Sequence, residues 1–369
     1  MKKVLHLQLL PLMSGVQRFS LHLLDGLDRQ EYDIWVACKP GGEFVDEVKS
    51  RGFHLVPLPS FCHPISYKDF FTLLHLIRLF KKERFDIVHT NSSKPGLLGR
   101  FAAKLCGVPL IIHTAHGTPF QLDQSRLVYS FYALLEFFGN AFGHKTVYVN
   151  NSDRANCTKM HLIPERKART IYNAIPPEMQ SRLDTIANQR NMPSAQIIIG
   201  STLRFSTQKN VIRLVSAACR ACKKAPKLKF ILLGEGEHYQ LCRSIVHAHN
   251  MSSQVILPGW DSNVIPWLEA FDAFVLYSRW EAQPFSIIEA MSSGLPVIGS
   301  AIPSIKELVN NDTGYLVALD DDKALEELFL QLADDFSQAY AKGKQAAECI
   351  KQLCNYQAMV AAYEEVYRG

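Results

Sequence analysis

Ala273-Phe-Val-Leu-Tyr277-Ser-Arg-Trp-Glu281-Ala-Gln-Pro-Phe-Ser-Ile-Ile-Glu289 reads as a buried strand, a loop and the first turns of a helix. Ala273–Tyr277 is a continuous apolar run of strand length, the pattern of a strand covered on both faces. The helix begins near Phe285. Glu281 therefore falls on the loop at the strand's carboxyl end and Glu289 one turn or more into the helix, so both can face one ligand. Between them, the backbone N–H groups of the helix start offer an anion site.

The same order recurs on both sides of this stretch. Val4–Leu10, Tyr32–Cys38, His54–Pro57, Phe85–His89, Leu110–Thr114 and Thr146–Asn150 read as buried strands separated by segments of helical periodicity, and Ile171-Tyr172-Asn173 closes a first unit. Pro176 to Ser194 is polar, with prolines at 176, 177 and 193, and reads as an interdomain linker with a short helix. The alternation restarts with Ile197–Leu203, Lys229–Leu233, Gln254–Leu257, Ala273–Tyr277, Pro296–Gly299 and Gly314–Val317. The fold class this predicts is α/β: two doubly wound Rossmann-like domains facing across a cleft, with ligands at the carboxyl ends of the strands. Tyr356, Met359, Val360, Tyr363 and Tyr367 fall at helical spacing and predict an amphipathic C-terminal helix.

Composition agrees with this architecture. A chain of 369 residues, 47% hydrophobic and 20% charged, suits two domains of roughly 150 residues or more. The most apolar windows, Val4–Met13 and Leu127–Phe142, are too short or too interrupted to span a bilayer. Met1-Lys2-Lys3 followed by an apolar run imitates a signal peptide, but His6 and Gln8 break the run and no small-x-small site follows, so a buried first strand is expected. Nine scattered cysteines point to a reducing compartment, and Cys219 with Cys222, a lone C-x-x-C in a helical stretch, is not read as a redox or zinc motif. Residues 1–172 hold 22 Lys and Arg against 14 Asp and Glu, whereas the whole chain carries only +5. The basic half implies an anionic partner, a phosphate-bearing or membrane-surface substrate rather than nucleic acid, since the cations are not interleaved with aromatics in a nucleic-acid motif.

Other candidate residues follow the strands. Arg204 and Lys209 stand just past Ile197–Leu203, where two cations can neutralise charge growing on a departing diphosphate without metal. Gly234 and Gly236, in Leu232-Leu-Gly-Glu-Gly-Glu237, let the backbone approach a ligand, although the dinucleotide fingerprint lacks its third glycine. Gly15 follows the first strand, and His116, beside Gly117, follows the fifth and is expected to face the cleft. Asp320-Asp321-Asp322 contains a D-x-D that could bind metal, but it directly precedes a helical run and reads as a cap.

Together and in this order, the glutamate pair, Arg204 with Lys209, Leu233-Gly-Glu-Gly236, Leu257-Pro-Gly-Trp260, the Gly15 loop and His116-Gly117 resemble family 4 retaining glycosyltransferases of the GT-B fold. Asn91-Ser-Ser-Lys-Pro-Gly-Leu-Leu-Gly-Arg100 is similar to a segment of family members that build bacterial surface polysaccharides. The sequence departs from the family at Ala282-Gln283, where Gly-Phe is usual, and at Asn91, where a histidine is usual.

The resemblance implies an acceptor-side domain over 1–175, a nucleotide-sugar donor domain over 176–355, and a helix over 356–369 that packs back on the first domain. It implies that Arg204 and Lys209 hold the diphosphate, Glu289 the ribose, and Glu281 with the amides of Gln283, Pro284, Phe285 and Ser286 the transferred sugar. Gly15 would admit the phosphates and His116 would face the sugar. The implied reaction is retaining transfer of a hexosyl or N-acetylhexosaminyl group, from a donor linked to UDP, by same-face attack with no metal and no other cofactor. The acceptor expected is a glycan, carried on undecaprenyl diphosphate, in O-antigen or capsule synthesis. The location expected is the cytoplasm, peripheral on the inner face of the membrane.

Two other readings use the same architecture: a nucleotide-sugar epimerase, which would turn over without acceptor, and a non-catalytic sugar-nucleotide-binding subunit. Membrane contact is expected through Tyr67–Arg84, where Phe70, Phe71, Leu74, Ile77 and Leu79 share a segment with Lys68, Arg78, Lys81, Lys82 and Arg84. Each cation near an anionic surface contributes about 1 kcal/mol. The plain alternative is a core helix with a solvated basic end.

Overall fold

The computed structural model describes residues 1–61, 66–120, 124–193 and 195–369. The chain divides into two compact units, Met1–Ala174 with Tyr356–Gly369, and Ile175–Asn355. In the N-terminal unit the strands are β1 (Lys2–Leu7), β2 (Tyr32–Cys38), β3 (His54–Pro57), β4 (Ile87–Asn91), β5 (Leu110–Ala115), β6 (Lys145–Tyr148) and β7 (Ala168–Thr170). Between them run α1 (Gly15–Gly26), α2 (Glu43–Ser50), α3 (Lys68–Glu83), α4 (Ser93–Leu105), α5 (Arg126–Phe142) and α6 (Asn151–Lys159).

The C-terminal unit opens with α7 (Pro177–Gln189). Its strands are β8 (Ile197–Thr202), β9 (Leu228–Leu233), β10 (Val255–Gly259), β11 (Ala273–Leu276), β12 (Val297–Ser300) and β13 (Gly314–Val317). Helices α8 (Val211–Lys224), α9 (Tyr239–Ala248), α10 (Ile265–Ala270), α11 (Phe285–Ser292), α12 (Pro303–Lys306), α13 (Asp322–Asp334) and α14 (Ser337–Leu353) cover that sheet. A last helix, α15 (Tyr356–Arg368), belongs to the N-terminal unit.

Among the described residues every strand pairing is parallel, in the orders β3-β2-β1-β4-β5-β6-β7 and β10-β9-β8-β11-β12-β13. Each sheet grows outward in one direction for three strands, then returns to the centre and grows the other way. Where the direction reverses, between β1 and β4 and between β8 and β11, adjacent loops diverge and leave a crevice at the carboxyl ends of the strands. Met1-Lys2-Lys3 and the apolar run behind it lead into β1, a central strand.

Several elements depart from expectation for physical reasons. β4 is shifted two residues towards its carboxyl end: Phe85 packs in the core beside Phe80 and Val88, and the strand continues through His89, Thr90 and Asn91, all fully buried. β1 stops at Leu7, because buried Gln8 turns its side-chain amide to Ser20. β7, an Ala-Arg-Thr edge strand, lacks an apolar run to announce it. The linker expected over 176–194 is instead mostly α7, a helix of the C-terminal unit with Leu183 and Ile186 buried. Just after α7, Arg190 donates to the carbonyls of Leu268 (2.7 Å), Ser293 (2.8 Å) and Phe271, fastening the chain to that unit. Ser194, the end of the expected linker, lies outside the described residues. Cys219 and Cys222 are buried on the inward side of α8, and burial pushes their thiols up to about 11 and about 12, so neither is a ready thiolate.

A buried polar seam fastens α15 to the first sheet. The Tyr367 hydroxyl lies 2.7 Å from both His6 Nε2 and His89 Nδ1. His89 Nε2 meets Thr114 Oγ1 at 2.7 Å, and Thr114 Oγ1 meets the Tyr363 hydroxyl at 3.1 Å. Burial lowers His6 to about 3 and His89 well below its usual value, so both rings are neutral.

Candidate active site

In the C-terminal unit the predicted residues gather on the two loops flanking the β8–β11 switch point. The loop after β8 carries Arg204 and Lys209. Its backbone is held by the neighbouring β9 loop: Leu203 N donates to Leu233 O, Phe205 N to Glu235 O and His238 N to Phe205 O, each at 2.9 Å. Gly234 and Gly236, with φ of +134° and +152°, make this contact possible. A Cβ on Gly234 would stand 1.7 Å from the Leu203 carbonyl oxygen, and one on Gly236 2.5 Å from that of Phe205. The glycines therefore admit the protein's own backbone and so set the course of the Arg204 loop.

The loops of β8 and β11 are also bonded to each other. Arg279 N donates to Gln208 O at 2.8 Å, and Gln208 Nε2 to the Trp280 carbonyl at 3.0 Å. Lys209 Nζ then reaches Glu281 Oε1 at 2.5 Å, a charge-assisted hydrogen bond between two largely buried side chains. Arg204 is exposed, with one long contact from Nη2 to Gln208 Oε1 at 3.4 Å. Glu289 is buried on the second turn of α11.

The Ala282–Ser286 segment is more specific than its sequence suggested. Gln283 is buried and its Nε2 donates to Cys354 Sγ at 3.4 Å, so the side chain points into the unit. Pro284 is the N-cap of α11 and carries no N–H, which removes it from the expected set of amide donors. Phe285 and Ser286 open the helix ahead of the first intrahelical bonds, Ile287 N and Ile288 N to Pro284 O. Their amides point along the helix axis at its positive end.

Three polar atoms in this region escaped the sequence reading. Ser206 Oγ, Asn210 Nδ2 and Ser278 Oγ are buried without a hydrogen-bond partner among the described residues. They lie on the same two loops, after β8 and after β11. Buried polar atoms are seldom left unsatisfied, so these three are suited to a polar ligand. Their signal in the sequence was only a Ser or Asn close behind a strand, too common to single out.

Asp320–Asp322 is spent on other partners. Asp321 Oδ1 accepts from Ala324 N at 3.0 Å and caps α13. Asp322 Oδ1 faces Arg213 at 2.8 Å and Asp320 Oδ1 faces Arg279 at 3.1 Å. Two guanidiniums against these carboxylates repel a cation. Among the described residues no group of three or more His, Cys, Asp or Glu is placed to hold a metal ion.

In the N-terminal unit, His116 follows β5 and Asn91 ends β4. His116 Nε2 meets Asn91 Oδ1 at 3.0 Å, so Nε2 carries the proton and Nδ1 the lone pair. Burial lowers its pKa to about 3 and keeps the ring neutral. Phe19 of α1 meets the imidazole edge-on at 4.7 Å, which brings α1 beside the histidine. Gly15 is the exposed first residue of α1. The Ser14 hydroxyl is turned to Gln17 and caps no backbone N–H, leaving the helix start open to an anion. The departure at Asn91 thus falls on the hydrogen-bond partner of His116. Farther along the Asn91–Arg100 segment, Gly96 packs on His113, Gly99 on Leu7 and Thr90, and buried Arg100 bonds Gly96 O at 2.7 Å and Asn140 Oδ1 at 2.9 Å.

Two family profiles cover most of the chain between them. Residues 13–179 match the profile described as Glycosyltransferase Family 4, and residues 184–349 the one described as Glycosyl transferases group 1. Over 347 residues, 90% of this chain and 88% of the relative, the sequence is 33% identical to UDP-Gal:alpha-D-GlcNAc-diphosphoundecaprenol alpha-1,3-galactosyltransferase of Escherichia coli. The chain belongs to glycosyltransferase family 4. It is also 22% identical to the capsular polysaccharide biosynthesis glycosyltransferase CapM of Staphylococcus aureus, over 99% of this chain and 97% of that one. The crystal structure of Anabaena HepE in complex with UDP and glucose superposes with a TM-score of 0.83 at 15% identity, covering 100% of both chains. The fold of this glycosyltransferase is accordingly GT-B, with two Rossmann-like parallel-sheet units. Among the described residues no helix is long and apolar enough to cross a membrane.

Proposed function

We propose that this glycosyltransferase moves a hexosyl or N-acetylhexosaminyl group from a UDP-linked donor to a glycan borne on a lipid diphosphate, with retention of configuration, in the assembly of a bacterial surface polysaccharide. The observation that carries the reading is the 33% identity, across 90% of the chain, with a relative named for a UDP-sugar donor and a diphosphoundecaprenol-linked acceptor. The work would be done in the cytoplasm, against the inner face of the membrane.

The chemistry follows from the C-terminal unit. Lys209, 2.5 Å from Glu281, is held in place by the protein itself, so little reorganisation is left for the reaction. Lys209 and Arg204 neutralise the diphosphate oxygens as the sugar C1–O bond breaks. The Phe285 and Ser286 amides add the positive end of α11. Glu281 accepts from a hydroxyl of the transferred sugar, and Glu289 from the ribose. The acceptor oxygen bonds to C1 on the face that the diphosphate leaves, and its proton passes to the departing phosphate oxygen. No protein base and no metal is needed, so the two glutamates are not the paired carboxylates of a glycosidase. In the N-terminal unit, the open start of α1 at Gly15 receives phosphate oxygens and neutral His116 hydrogen-bonds the sugar.

The test is UDP release from UDP-galactose, UDP-glucose and their N-acetylated counterparts, with and without a GlcNAc-diphosphate lipid. Acceptor-dependent release with an α-linked product supports the proposal. Turnover of the donor without acceptor, to its epimer, would overturn it.

A further inference from the structure

The outward face of α5 is apolar from end to end. Leu127, Phe131, Leu134 and Phe138 recur at helical spacing, with Val128 and Phe137 beside them, and these six side chains are between 42% and 85% exposed. The buried face is narrower: Ala133, Glu136, Gly139 and Asn140. This amphipathicity is inverted for a helix against water, and a contiguous exposed apolar stripe marks a contact surface.

The surroundings say what kind of surface it meets. α4 packs against both α3 and α5, so the three helices lie side by side. Each runs antiparallel to the strands it connects, which gathers the three N-terminal ends at the carboxyl edge of the sheet, the edge that carries Asn91 and His116. There α3 adds exposed Tyr67, Phe70 and Phe71, while Lys94 of α4 pairs with Asp69 of α3 at 2.6 Å. The rest of the α3 apolar stripe is spent on the core, with Leu76, Leu79 and Phe80 buried. The segment singled out in the sequence is therefore a core helix with an apolar tip, and the broad exposed face belongs to α5.

Charge completes the description. The carboxylates of these three helices each face a cation: Asp69 faces Lys94, Glu83 faces Lys3 and Glu136 faces Arg100. Lys68, Arg78 and Lys81 of α3, Lys104 of α4 and Arg126 of α5 stand exposed.

We infer that the α5 stripe, with the first turn of α3, is the surface by which this enzyme rests on an anionic lipid bilayer, α5 lying in the plane of the interface. An apolar helix face that shares its layer with exposed cations on α3, α4 and α5 fits an interface whose headgroups are negative and whose acyl boundary is apolar. A second copy of the chain fits less well, because a two-fold contact through α5 would set like charges against each other. The placement deepens the proposed function, since it puts the His116 edge at the level where a lipid diphosphate presents its glycan.

The experiment is sedimentation of the full chain with vesicles of phosphatidylcholine alone and of phosphatidylcholine mixed with phosphatidylglycerol. Wild-type protein is expected on the mixed vesicles. Phe131→Ser/Phe138→Ser should lower the bound fraction on the order of tenfold at low and at high salt, whereas Lys81→Glu/Lys104→Glu should lower it at low salt only. A Leu134→Trp variant should be quenched by brominated acyl chains. Both exposed-face variants should unfold at the wild-type temperature and release UDP normally with a short, water-soluble acceptor. Absence of that release in wild type would fail the functional reading while leaving the vesicle result to stand. Undiminished binding by Phe131→Ser/Phe138→Ser, or an unquenched Leu134→Trp, would overturn the inference. So would a dimer in solution that the double serine variant dissolves while vesicle binding is absent.

Discussion

The two sheets share a topology and differ in what fills them. The centre of the first is polar: His6, His89, Thr90, Asn91, His113 and Thr114 are buried in β1, β4 and β5, and α15 supplies hydrogen bonds to His6, His89 and Thr114 through Tyr363 and Tyr367. The matching strands of the second, β8 and β11, are Ile-Ile-Ile-Gly-Ser-Thr and Ala-Phe-Val-Leu, and the polar groups of that unit are concentrated on the loops beyond them. One topology therefore supports two designs. An apolar interior needs nothing from outside and can carry a donor site on its loops. A polar interior is costly wherever its members lose their partners, and this one depends on a helix that arrives after the whole other unit has been made.

The largest consequence is in acid. His6 and His116 are lowered to about 3, His22 to about 4, and His89 and His113 well below their usual value, all chiefly by burial. Each has a folded pKa below its unfolded value of about 6.5, so the unfolded state binds the extra proton. Their contribution is complete above about pH 6.5 and declines as pH falls from there towards 3, by about 1.4 kcal/mol per pH unit for each histidine. Between pH 7 and pH 5 the N-terminal unit, which holds all five of these histidines, should lose several kcal/mol relative to the C-terminal unit. Hydrogen exchange followed peptide by peptide decides it. Equal loss of protection in the two units at pH 5 would break the comparison.

The next effect is confined to the other unit. Lys209→Ala and Arg204→Ala should each slow turnover by at least a hundredfold, since removing one group that stabilises the transition state costs about 2.7–4 kcal/mol. The fold should survive, because both side chains stand on a loop whose backbone is held by its neighbours. Near-normal turnover by either purified variant would withdraw the diphosphate assignment.

A smaller effect sharpens the contrast from inside the seam. Tyr367→Phe keeps the ring and removes the hydroxyl shared by His6 and His89, leaving two buried ring nitrogens without that partner. The expected loss is about 1–3 kcal/mol. Urea unfolding should register it in the N-terminal unit, with donor affinity unchanged. A midpoint equal to that of wild type would mean that α15 is held by its apolar face alone.

These differences explain what could be read from the sequence. The strands of the second sheet were legible because apolar runs such as Ala273–Tyr277 and Lys229–Leu233 announce them, and with them the places of Arg204, Lys209 and Glu281. In the first sheet the end of β4 was hidden, since His89-Thr90-Asn91 looks like a loop until the tertiary partners of its side chains are known. α7 was hidden for a related reason. Its polar, proline-flanked sequence resembles a linker, and only Leu183, Ile186 and Arg190 reveal that it is docked. The glycines at 234 and 236 were found, but their neighbours were not, because a close approach between two backbones leaves no trace in either segment alone. The inward turn of Gln283 depended on Cys354, seventy-one residues away.

The smallest effect concerns Asp321, the N-cap of α13 in the donor unit. Its carboxylate accepts one hydrogen bond, from Ala324 N at the start of α13, and complements the positive end of that helix. Asp321→Ala should cost about 1 kcal/mol, the usual value of an N-cap, with no change in the N-terminal unit and none in turnover. The same variant tests the proposal that transfer proceeds without metal. If Asp320–Asp322 bound a catalytic cation, activity would vanish in excess EDTA, return with manganese or magnesium, and fall sharply on altering this acidic run. Because Arg213 and Arg279 hold Asp322 and Asp320, the outcome expected is full activity in EDTA and a slightly less stable but equally active Asp321→Ala enzyme. Loss of turnover in both experiments, with the fold intact, would move the leaving-group chemistry from the β8 loop to the acidic run and remove the role assigned to Lys209.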